Sequence, residues 1–358
     1  MTTYLIRRLL ISIPVLFGVV LLVFVVGRIL PGDPCRILLG ERATAAACAA
    51  FNHTRGFDLP IAQQFVNYLG DLTQGDLGDS LRTSRPVSAL LVERLPMTLE
   101  LSIYALIFAT VVGTTLGIIS AYKRNSAVDV ITMAGANLGV SIPVFVLGLL
   151  LAFIFAILLK NTPFALPPSG RLTPGIAIVP LAVRWGLEND HGPIRVVVDF
   201  LSNMYTINGL LSAQWDIFAD SFRHMILPAI ALGTIPLAII ARITRSSLLD
   251  VLGLDYVRTA RAKGLRDRSI VRRHALPNAM LPLVTIIGLQ IGGLLSGAVL
   301  TETIFNLPGV GQATYEAITS HDFAVIQGFV LVIAVGFLMI NLLVDLSYAH
   351  LDPRVRPA

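Results

Sequence analysis

The stretch Tyr256-Val257-Arg258-Thr259-Ala260-Arg261-Ala262-Lys263-Gly264-Leu265 lies in a basic segment between two long apolar runs. The residues from Asp255, just before this stretch, to Lys263 are good helix formers, and Gly264 is suited to end a helix in a left-handed conformation. At helical spacing, one small apolar face is formed by Val257, Ala260, Gly264 and Leu265. The pattern predicts a short helix with basic flanks that inserts into a groove of a soluble partner. Anchoring on anionic lipid is the plainer alternative.

A second short helix is predicted after a turn at Arg266 to Arg268. It runs from about Ser269 to Leu276 and reaches Pro277, where the missing N–H and the fixed backbone angle of proline disfavour continuation. The two helices together define a loop from Arg242 to Pro277.

The composition of the whole chain is that of an integral membrane protein. Apolar residues make up 55% of the 358 residues and charged residues only 14%. Six runs are long enough to cross a bilayer. They are Leu9 to Val26, Leu99 to Ala121, Val130 to Leu159, Met225 to Ala241, Met280 to Thr301 and Ala324 to Val344. The sequence therefore predicts an all-α membrane protein with six transmembrane helices.

The first apolar run is expected to remain as a membrane anchor. A cleavable signal peptide is the alternative, but the run is too long for one and no small-x-small cleavage motif follows it.

The distribution of charge predicts the orientation. Four segments would share one side of the membrane: the N-terminal tail, 123–129, 242–277 and the tail after Asp345. They hold more than half of the 27 basic residues but less than a third of the 22 acidic ones. Because basic residues near helix ends are retained in the cytoplasm, both termini are expected to be cytoplasmic. The net charge of +5 then reports membrane topology rather than nucleic-acid binding.

Two long segments are expected outside the cytoplasm, about 31–97 and 160–223. The first holds Cys35 and Cys48, whose spacing leaves open a disulfide or two free buried thiols. It also contains a predicted amphipathic helix from Leu59 to Tyr68 and a turn at Gly75 to Gly78. The second segment opens with the rigid loop Leu166 to Gly170 and carries three aromatic residues expected at the membrane interface, Trp185, Tyr205 and Trp215.

Several classes of function are disfavoured by what the sequence lacks. The middle of each predicted span is free of Asp, Glu, Lys and Arg, although ion- and proton-coupled carriers usually need such groups; backbone carbonyls could still bind sodium. No lysine stands in a phosphate-binding loop. Motifs for a catalytic serine, a zinc site or a redox cysteine pair are absent, and the six histidines are scattered. No catalytic residue, metal site or cofactor is predicted for this chain.

Glycines and prolines inside the spans suggest close packing and hinges. Glycines recur at four-residue spacing at Gly113 and Gly117, Gly135 and Gly139, Gly288 and Gly292, and Gly293 and Gly297. Such pairs let helices approach closely within one chain, the favoured interpretation, or between subunits. Prolines within spans kink helices and free carbonyl groups. Candidate hinge or pathway positions are Ser141, Pro143, Pro282 and Glu302.

The loop from Arg242 to Pro277 resembles the cytoplasmic signature of binding-protein-dependent ABC importer permeases. That signature reads Glu-Ala-Ala, three residues, Gly, nine residues and Ile-x-Leu-Pro. Here Arg258-Thr259-Ala260 occupies the Glu-Ala-Ala position, Gly264 matches the glycine, and His274-Ala275-Leu276-Pro277 matches the end with His for Ile. These departures are typical of the peptide/nickel branch, to which the sequence is similar.

Other stretches resemble the same branch along nearly the whole chain. They are Arg7-Arg8, Pro31-Gly32-Asp33-Pro34, Gly75-Asp76-Leu77-Gly78, Arg94-Leu95-Pro96, Leu166-Pro167-Pro168-Ser169-Gly170, Thr301-Glu302-Thr303-Ile304-Phe305, Pro308-Gly309-Val310-Gly311 and Leu351-Asp352-Pro353-Arg354. The segment from about Leu172 to Ser221 is longer than expected for the family.

The resemblance implies a type I importer permease fold with a core at 98–345, preceded by a tail and first helix at 1–30 and an outside segment at 31–97, and followed by a cytoplasmic tail at 346–358. It implies four partners: a second related permease, two cytoplasmic ATPases that hold ATP and Mg²⁺, and an extracytoplasmic solute-binding protein. The residues implied to contact the ATPase are Tyr256, Arg258, Thr259, Ala260, Arg261, Ala262, Lys263, Gly264, Leu265, Leu276 and Pro277.

Peptides are the substrate class that the resemblance favours. The same branch includes permeases for nickel, glutathione, opines and oligosaccharides, so these stay open as alternatives. Two further hypotheses do not need ATPases: a secondary carrier that acts alone, and a membrane scaffold whose basic loop only recruits soluble proteins.

Overall fold

The computed structural model describes residues 2–29, 34–40, 42–189 and 192–351. The described part is helical. Along the first half of the chain the helices are α1 (Thr2–Ile29), α2 (Pro34–Leu39), α3 (Ala45–Thr54), α4 (Ile61–Thr73), α5 (Val87–Tyr122), α6 (Ala127–Ser141) and α7 (Val144–Ala152), which continues through a π-helical turn at Phe153–Leu158.

The second half of the chain is built in the same way. Its helices are α8 (Leu181–Arg184), α9 (Pro193–Ser202), α10 (Tyr205–Leu211), α11 (Trp215–Leu252), α12 (Asp255–Ala262), α13 (Asp267–Ser269), a π-helical turn at Ile270–Ala275, α14 (Leu276–Ile304), α15 (Val310–Thr319) and α16 (Phe323–Leu351).

Six membrane crossings are consistent with this arrangement. Five helical stretches within the described residues are long and apolar enough to cross a bilayer: Ile6–Arg28, Val87–Tyr122, Trp215–Leu252, Pro282–Ile304 and Phe323–Val344. The sixth candidate is a bent pair, α6 with α7 and its π-turn, whose two parts meet at 103°. The all-α, six-span prediction is therefore confirmed, and the run from Val130 to Leu159 bends at Pro143, one of the prolines expected to kink a span. The break falls before Pro143, because a residue that precedes proline is disfavoured in the helical region.

The helices extend beyond the apolar runs from which they were predicted. Helix α5 begins at Val87 rather than near Leu99, and α11 begins at Trp215 rather than near Met225. Hydropathy marks only the part of a helix that matches lipid, whereas the backbone hydrogen bonds continue through the polar turns.

The centre of the bundle is the pair α5 and α11, which make the most extensive contact in the fold. Two glycines let their backbones meet: a Cβ on Gly113 would lie 2.7 Å from Leu237 O, and one on Gly117 would lie 2.6 Å from Ala241 O. Gly288 and Gly292 face Val344 and Phe337 of α16 in the same manner. The prediction of packing within one chain is confirmed for these two pairs.

The bundle has two distinct ends. At one, hereafter the basic end, lie the turn between α5 and α6 and the segment 253–275. Residues 8–16 of α1 lie beside residues 335–342 of α16. At the other, the opposite end, lie α2 to α4, α8 to α10 and α15. The basic segments 123–129 and 242–277, which were predicted to share one side of the membrane, thus share one end of the bundle.

At the opposite end, the segment 31–97 is held by a disulfide and by α4. Cys35 and Cys48 are joined, with their Cα atoms 5.4 Å apart. The predicted amphipathic helix is confirmed as α4, and Gly75 and Gly78 both have φ of +77° as the predicted turn requires. The motifs Pro31 to Pro34 and Leu351 to Arg354, and the tail 346–358, lie wholly or partly outside the described residues.

The segment 160–214 is tied to α5 by a buried ion pair. Arg171 Nη2 donates to Glu100 Oε2 at 3.2 Å and to Asn203 O, and its guanidinium stacks 3.5 Å from the ring centroid of Tyr205. Burial lowers the pKa of Arg171 from its usual value, and the Glu100 carboxylate opposes that shift. Thr206 N donates to the second oxygen of Glu100 at 2.8 Å. The segment is therefore a fixed part of the fold rather than a loose insertion.

The three aromatic residues expected at the membrane interface differ in their surroundings. Trp185 and Trp215 are exposed, as residues at a membrane interface are. Tyr205 instead stacks on Arg171, because a desolvated guanidinium is stabilised by an aromatic face.

Candidate functional site: a basic helix at one end of the bundle

Helix α12 carries most of the stretch Tyr256 to Leu265. It spans Asp255–Ala262 and has Asp255 in its first turn, where a carboxylate stabilises the positive end of the helix dipole. Gly264 follows with φ of +78°, a left-handed conformation that costs an L-residue with a side chain about 1–2 kcal/mol. The predicted helix and its glycine cap are confirmed.

The apolar face of α12 packs against its own chain. Val257 is 0% exposed and Ala260 8% exposed, and both belong to one buried apolar cluster with Ile270 of the π-helical turn. Leu265 lies beyond the cap and is 41% exposed. The prediction that this face inserts into a partner is therefore wrong for Val257 and Ala260: the segment 267–275 folds back and buries them, since apolar side chains lose contact with water by the shortest available route.

A hydrogen-bonded clamp fixes α12 to the start of α14. Tyr256 Oη donates to His274 O at 3.2 Å, and Asn278 Nδ2 donates to Tyr256 Oη at 2.9 Å. The second short helix was predicted to end at Pro277, and this prediction is wrong. The chain continues from Asp267 through the π-turn into α14, with half-buried Leu276 and exposed Pro277 in the first turn, where a missing N–H costs little.

The face of α12 that remains available is basic. Arg258 Nη1 lies 3.3 Å from Asp255 Oδ1, and Arg261 Nε lies 3.5 Å from Asp267 Oδ1, but all four side chains are at least half exposed. Exposed ion pairs contribute little to stability, so both arginines can exchange these partners for another carboxylate. Thr259, Ala262 and Lys263 are exposed beside them.

A groove separates α12 from the turn between α5 and α6. Its volume is about 580 Å³. The basic residues that line it are Lys123, Arg124, Arg258 and Arg261, and the one acidic lining residue among those described is Asp267. A protein surface with an exposed helix end or a row of carboxylates has the complementary charge.

An ion pair behind this groove joins α6 to α11. Arg245 Nε and Nη2 each lie 2.8 Å from an oxygen of Asp129, a bidentate geometry. The same carboxylate accepts from Ser120 Oγ and from Asn125 N. Sequence reasoning assigned Asp129 to a loop and missed this contact. The sequence offered one signal for this contact: Asp129 stands at the start of a span, and the basic segment 242–277, expected on the same side of the membrane, contains arginines that could pair with it.

The predicted hinge and pathway residues lie apart from one another. Ser141 and Pro143 flank the 103° bend and are exposed. Pro282 is exposed in α14, a helix that continues past it.

Glu302 occupies an interior position instead of a pathway. It is fully buried, and its carboxylate accepts from Thr98 Oγ1 at 2.7 Å and from Gln312 N at 2.9 Å. A Cβ on Gly309 would lie 2.4 Å from this carboxylate, so the glycine is what lets the connection close over it. Glu302 thereby joins α14, α5 and the start of α15. In this conformation it does not line a pathway.

Comparison with known proteins finds family matches along most of the chain. Residues 113–357 match the family described as "Binding-protein-dependent transport system inner membrane component", and residues 1–102 match its N-terminal family. A dipeptide transport system permease protein of Alkalihalophilus pseudofirmus is 43% identical over 99% of this chain and 100% of its own length.

Two further relatives cover the chain as completely. A di/tripeptide transport system permease protein of Pseudomonas aeruginosa is 43% identical over 99% of each chain. A glutathione transport system permease protein of Escherichia coli is 36% identical over 99% of each chain. With a family match over most of its length and relatives of this identity and coverage, the chain belongs to the inner membrane permease components of binding-protein-dependent ABC transport systems.

Proposed function

We propose that this chain is one permease subunit of an ATP-driven importer of short peptides. The observation that carries the proposal is α12, a helix whose apolar face is buried in its own chain and whose basic face is exposed at one end of a membrane-spanning bundle. Because α12 is hydrogen-bonded and packed against the rest of the chain, a displacement imposed on it moves the helices to which it is attached.

The basic end is proposed to face the cytoplasm of a prokaryotic cell. Lys and Arg concentrate there, in the segments 123–129 and 242–277, as the retention of basic loops in the cytoplasm requires. Both termini then lie in the cytoplasm, and the segments 31–97 and 160–223 face outward.

The partners proposed for the basic end are two ATPase subunits, which bind the ATP and Mg²⁺. Arg258 and Arg261 contact carboxylates of one ATPase, and Gly264 sets the direction in which the chain leaves α12. Movement of α12 passes to α14 through Tyr256 and Ile270. It passes to α6 through the contact between Arg245 and Asp129. The bend at Pro143 then lets α7 turn relative to α6.

A second, related permease completes the pathway. Open space faces Gly135 of α6 and Gly293 of α14, where an added Cβ would meet no atom within 4 Å. Small residues on exposed helix faces suit close contact between subunits. At the opposite end, the fixed segments 42–97 and 160–214 offer a surface for an extracytoplasmic solute-binding protein.

Short peptides are the proposed substrate because the full-length relatives are named for dipeptides, for di- and tripeptides and for glutathione, which is itself a tripeptide. Nickel and oligosaccharides remain weaker alternatives with the same mechanism. A carrier that acts without ATPases, or a scaffold without transport, is not favoured by these relatives.

The test is reconstitution of the complete transporter in lipid, with measurement of ATP hydrolysis and solute uptake. Addition of the binding protein with a dipeptide pool is expected to stimulate both activities. Stimulation by oligosaccharides alone would keep the mechanism and replace the substrate. Failure to isolate a complex with ATPases would contradict the proposal.

A matched pair of variants tests the role of α12. Gly264→Ala introduces a side chain at φ of +78°, and ATP-driven uptake is expected to fall at least tenfold while the complex still assembles. Gly18→Ala, in α1 with no atom within 4 Å of the new methyl group, serves as the control and should retain uptake. Equal uptake by the two variants would contradict the coupling role.

A further inference from the structure

A second cavity lies at the opposite end of the bundle, far along the chain from α12. It is enclosed by the end of α1, by α4, by the start of α16 and by the connections around Phe57 and Leu77. Its volume is about 290 Å³. The coupling mechanism proposed above uses none of its residues.

Arg28 enters this cavity, and within the described part of the chain no carboxylate is paired with it. Its guanidinium carbon lies 5.0 Å from the ring centroid of Phe24, 5.1 Å from that of Phe57 and 5.5 Å from that of Phe323. The buried Nε of Arg28 also has no acceptor among the described residues. Aromatic faces attract a cation but do not accept its directional N–H bonds, so Arg28 retains the capacity to bind an anion.

Two glutamines beside Arg28 are also unsatisfied. Gln327 is 8% exposed, lines the cavity, and has no acceptor within reach of Nε2. Gln64 donates from Nε2 to Phe57 O and Leu59 O, but its buried Oε1 accepts nothing. Buried polar groups are nearly always hydrogen-bonded, and several unsatisfied groups around one cavity indicate a ligand with polar atoms there.

The other charged residues that line the cavity are Arg55 and three aspartates, so apart from Arg28 the acidic groups outnumber the basic one. The aspartates are Asp71, Asp76 and Asp79. Among their carboxylates, the one with a described hydrogen bond is that of Asp76, which accepts from Gly78 N at 2.8 Å. Burial raises the pKa of Tyr68 to about 12, so its hydroxyl stays protonated at neutral pH. A simple anion would be repelled by these carboxylates, whereas a ligand that also carries an ammonium group would be attracted to them.

We propose that this cavity binds a zwitterion, with its anionic group on Arg28 and Gln327 and its ammonium group toward Asp71, Asp76 and Asp79. Guanidinium groups bind phosphate and carboxylate alike. Two sources fit the volume and the chemistry: the head group of phosphatidylethanolamine, since Arg28 and Phe323 end two membrane spans, or a free dipeptide.

The experiment uses the complete transporter, purified in detergent and examined by native mass spectrometry and thermal unfolding. Three probes are added separately: phosphatidylethanolamine, phosphatidylglycerol and glycylglycine. The wild-type complex is expected to retain phosphatidylethanolamine, or to gain stability with glycylglycine, at concentrations at least tenfold below those at which phosphatidylglycerol has the same effect. This comparison needs no mutation.

Two variants then locate the binding. Gln327→Leu removes the unsatisfied donor and Arg28→Gln removes the positive charge; each is expected to weaken binding of the preferred zwitterion at least tenfold. Gln63→Leu, on the exposed face of α4 outside the cavity, is the matched control and should bind as wild type does.

Each outcome decides the proposal. Selective loss of phosphatidylethanolamine in the two variants identifies a lipid site, and selective loss of glycylglycine identifies a site for a free zwitterion. Equal binding of phosphatidylglycerol, no binding of either zwitterion, or unchanged binding in both variants would overturn it. The result does not depend on which solute is transported, so it stands apart from the test of peptide import.

Discussion

Replacing Arg171 by leucine is expected to release the segment 160–214 from the bundle. Arg171 is 8% exposed and its partner Glu100 is 2% exposed. Removing one partner of a buried pair typically costs about 3–5 kcal/mol, because the other charge is left without compensation. Thr206 still donates to Glu100 in the variant, which places the expected loss near the lower limit, about 3 kcal/mol.

A loss of this size has a measurable consequence. At about 1.4 kcal/mol for each factor of ten, the population in which the segment is detached should rise about 100-fold. Hydrogen exchange of residues 172–214, measured in lipid nanodiscs, should accelerate by that factor when opening and closing are fast. Exchange in the last turns of α11, toward Leu252 at the basic end, should change much less.

The matched control is Arg195→Leu in the same segment. Arg195 pairs with Asp199 at 2.9 Å, but both side chains are partly exposed. Such a pair contributes about 1 kcal/mol or less, so exchange should accelerate at most about fivefold. If Arg171→Leu and Arg195→Leu changed exchange by the same factor, the conclusion that the buried pair holds the segment would be refuted.

Three further outcomes are expected. Gly117→Ala places a methyl group 2.6 Å from Ala241 O and should destabilise the bundle by about 1–3 kcal/mol, seen as a lower unfolding temperature, whereas Gly18→Ala, with no atom within 4 Å of the new methyl group, should not; equal temperatures would contradict the proposed packing of α5 on α11. Replacing Cys35 and Cys48 by serine should destabilise the segment 34–54 by about 3 kcal/mol, measured by limited proteolysis, and alkylation of both cysteines in the unreduced wild type would show that no bridge forms. Asp129→Arg should abolish ATP-driven uptake, and addition of Arg245→Asp should restore part of it; no recovery in assembled complexes would argue against the ion pair as the link between α6 and α11.

The candidate site was predicted well where the signal is local. A run of helix formers that ends at Gly264 specifies α12 and its left-handed cap by backbone preferences alone. Local sequence did not determine which face of α12 packs within the chain and which face stays exposed. Val257 and Ala260 were predicted to meet a partner, and they are buried by Ile270, a residue separated from them by a turn whose path periodicity does not describe.

The membrane spans show the same division. Apolar runs of sufficient length specify how many crossings the chain makes, because lipid accepts only long apolar helices. They do not specify bends or helix ends. The 103° break before Pro143 follows from the proline rather than from hydropathy, and the extension of α5 back to Val87 lies outside the apolar run that marked this span.

The sequence by itself determined that this chain is an α-helical membrane protein, where α12 lies and which segments share an end of the bundle, because hydropathy, charge and helix propensity act over a few neighbouring residues. Only the tertiary structure decided which charged groups are paired. Glu100 with Arg171, Asp129 with Arg245 and Glu302 with Thr98 join residues that are 71, 116 and 204 positions apart. Such contacts form because a charge inside an apolar bundle must find a partner in space, and distance in space is not written in the order of the residues.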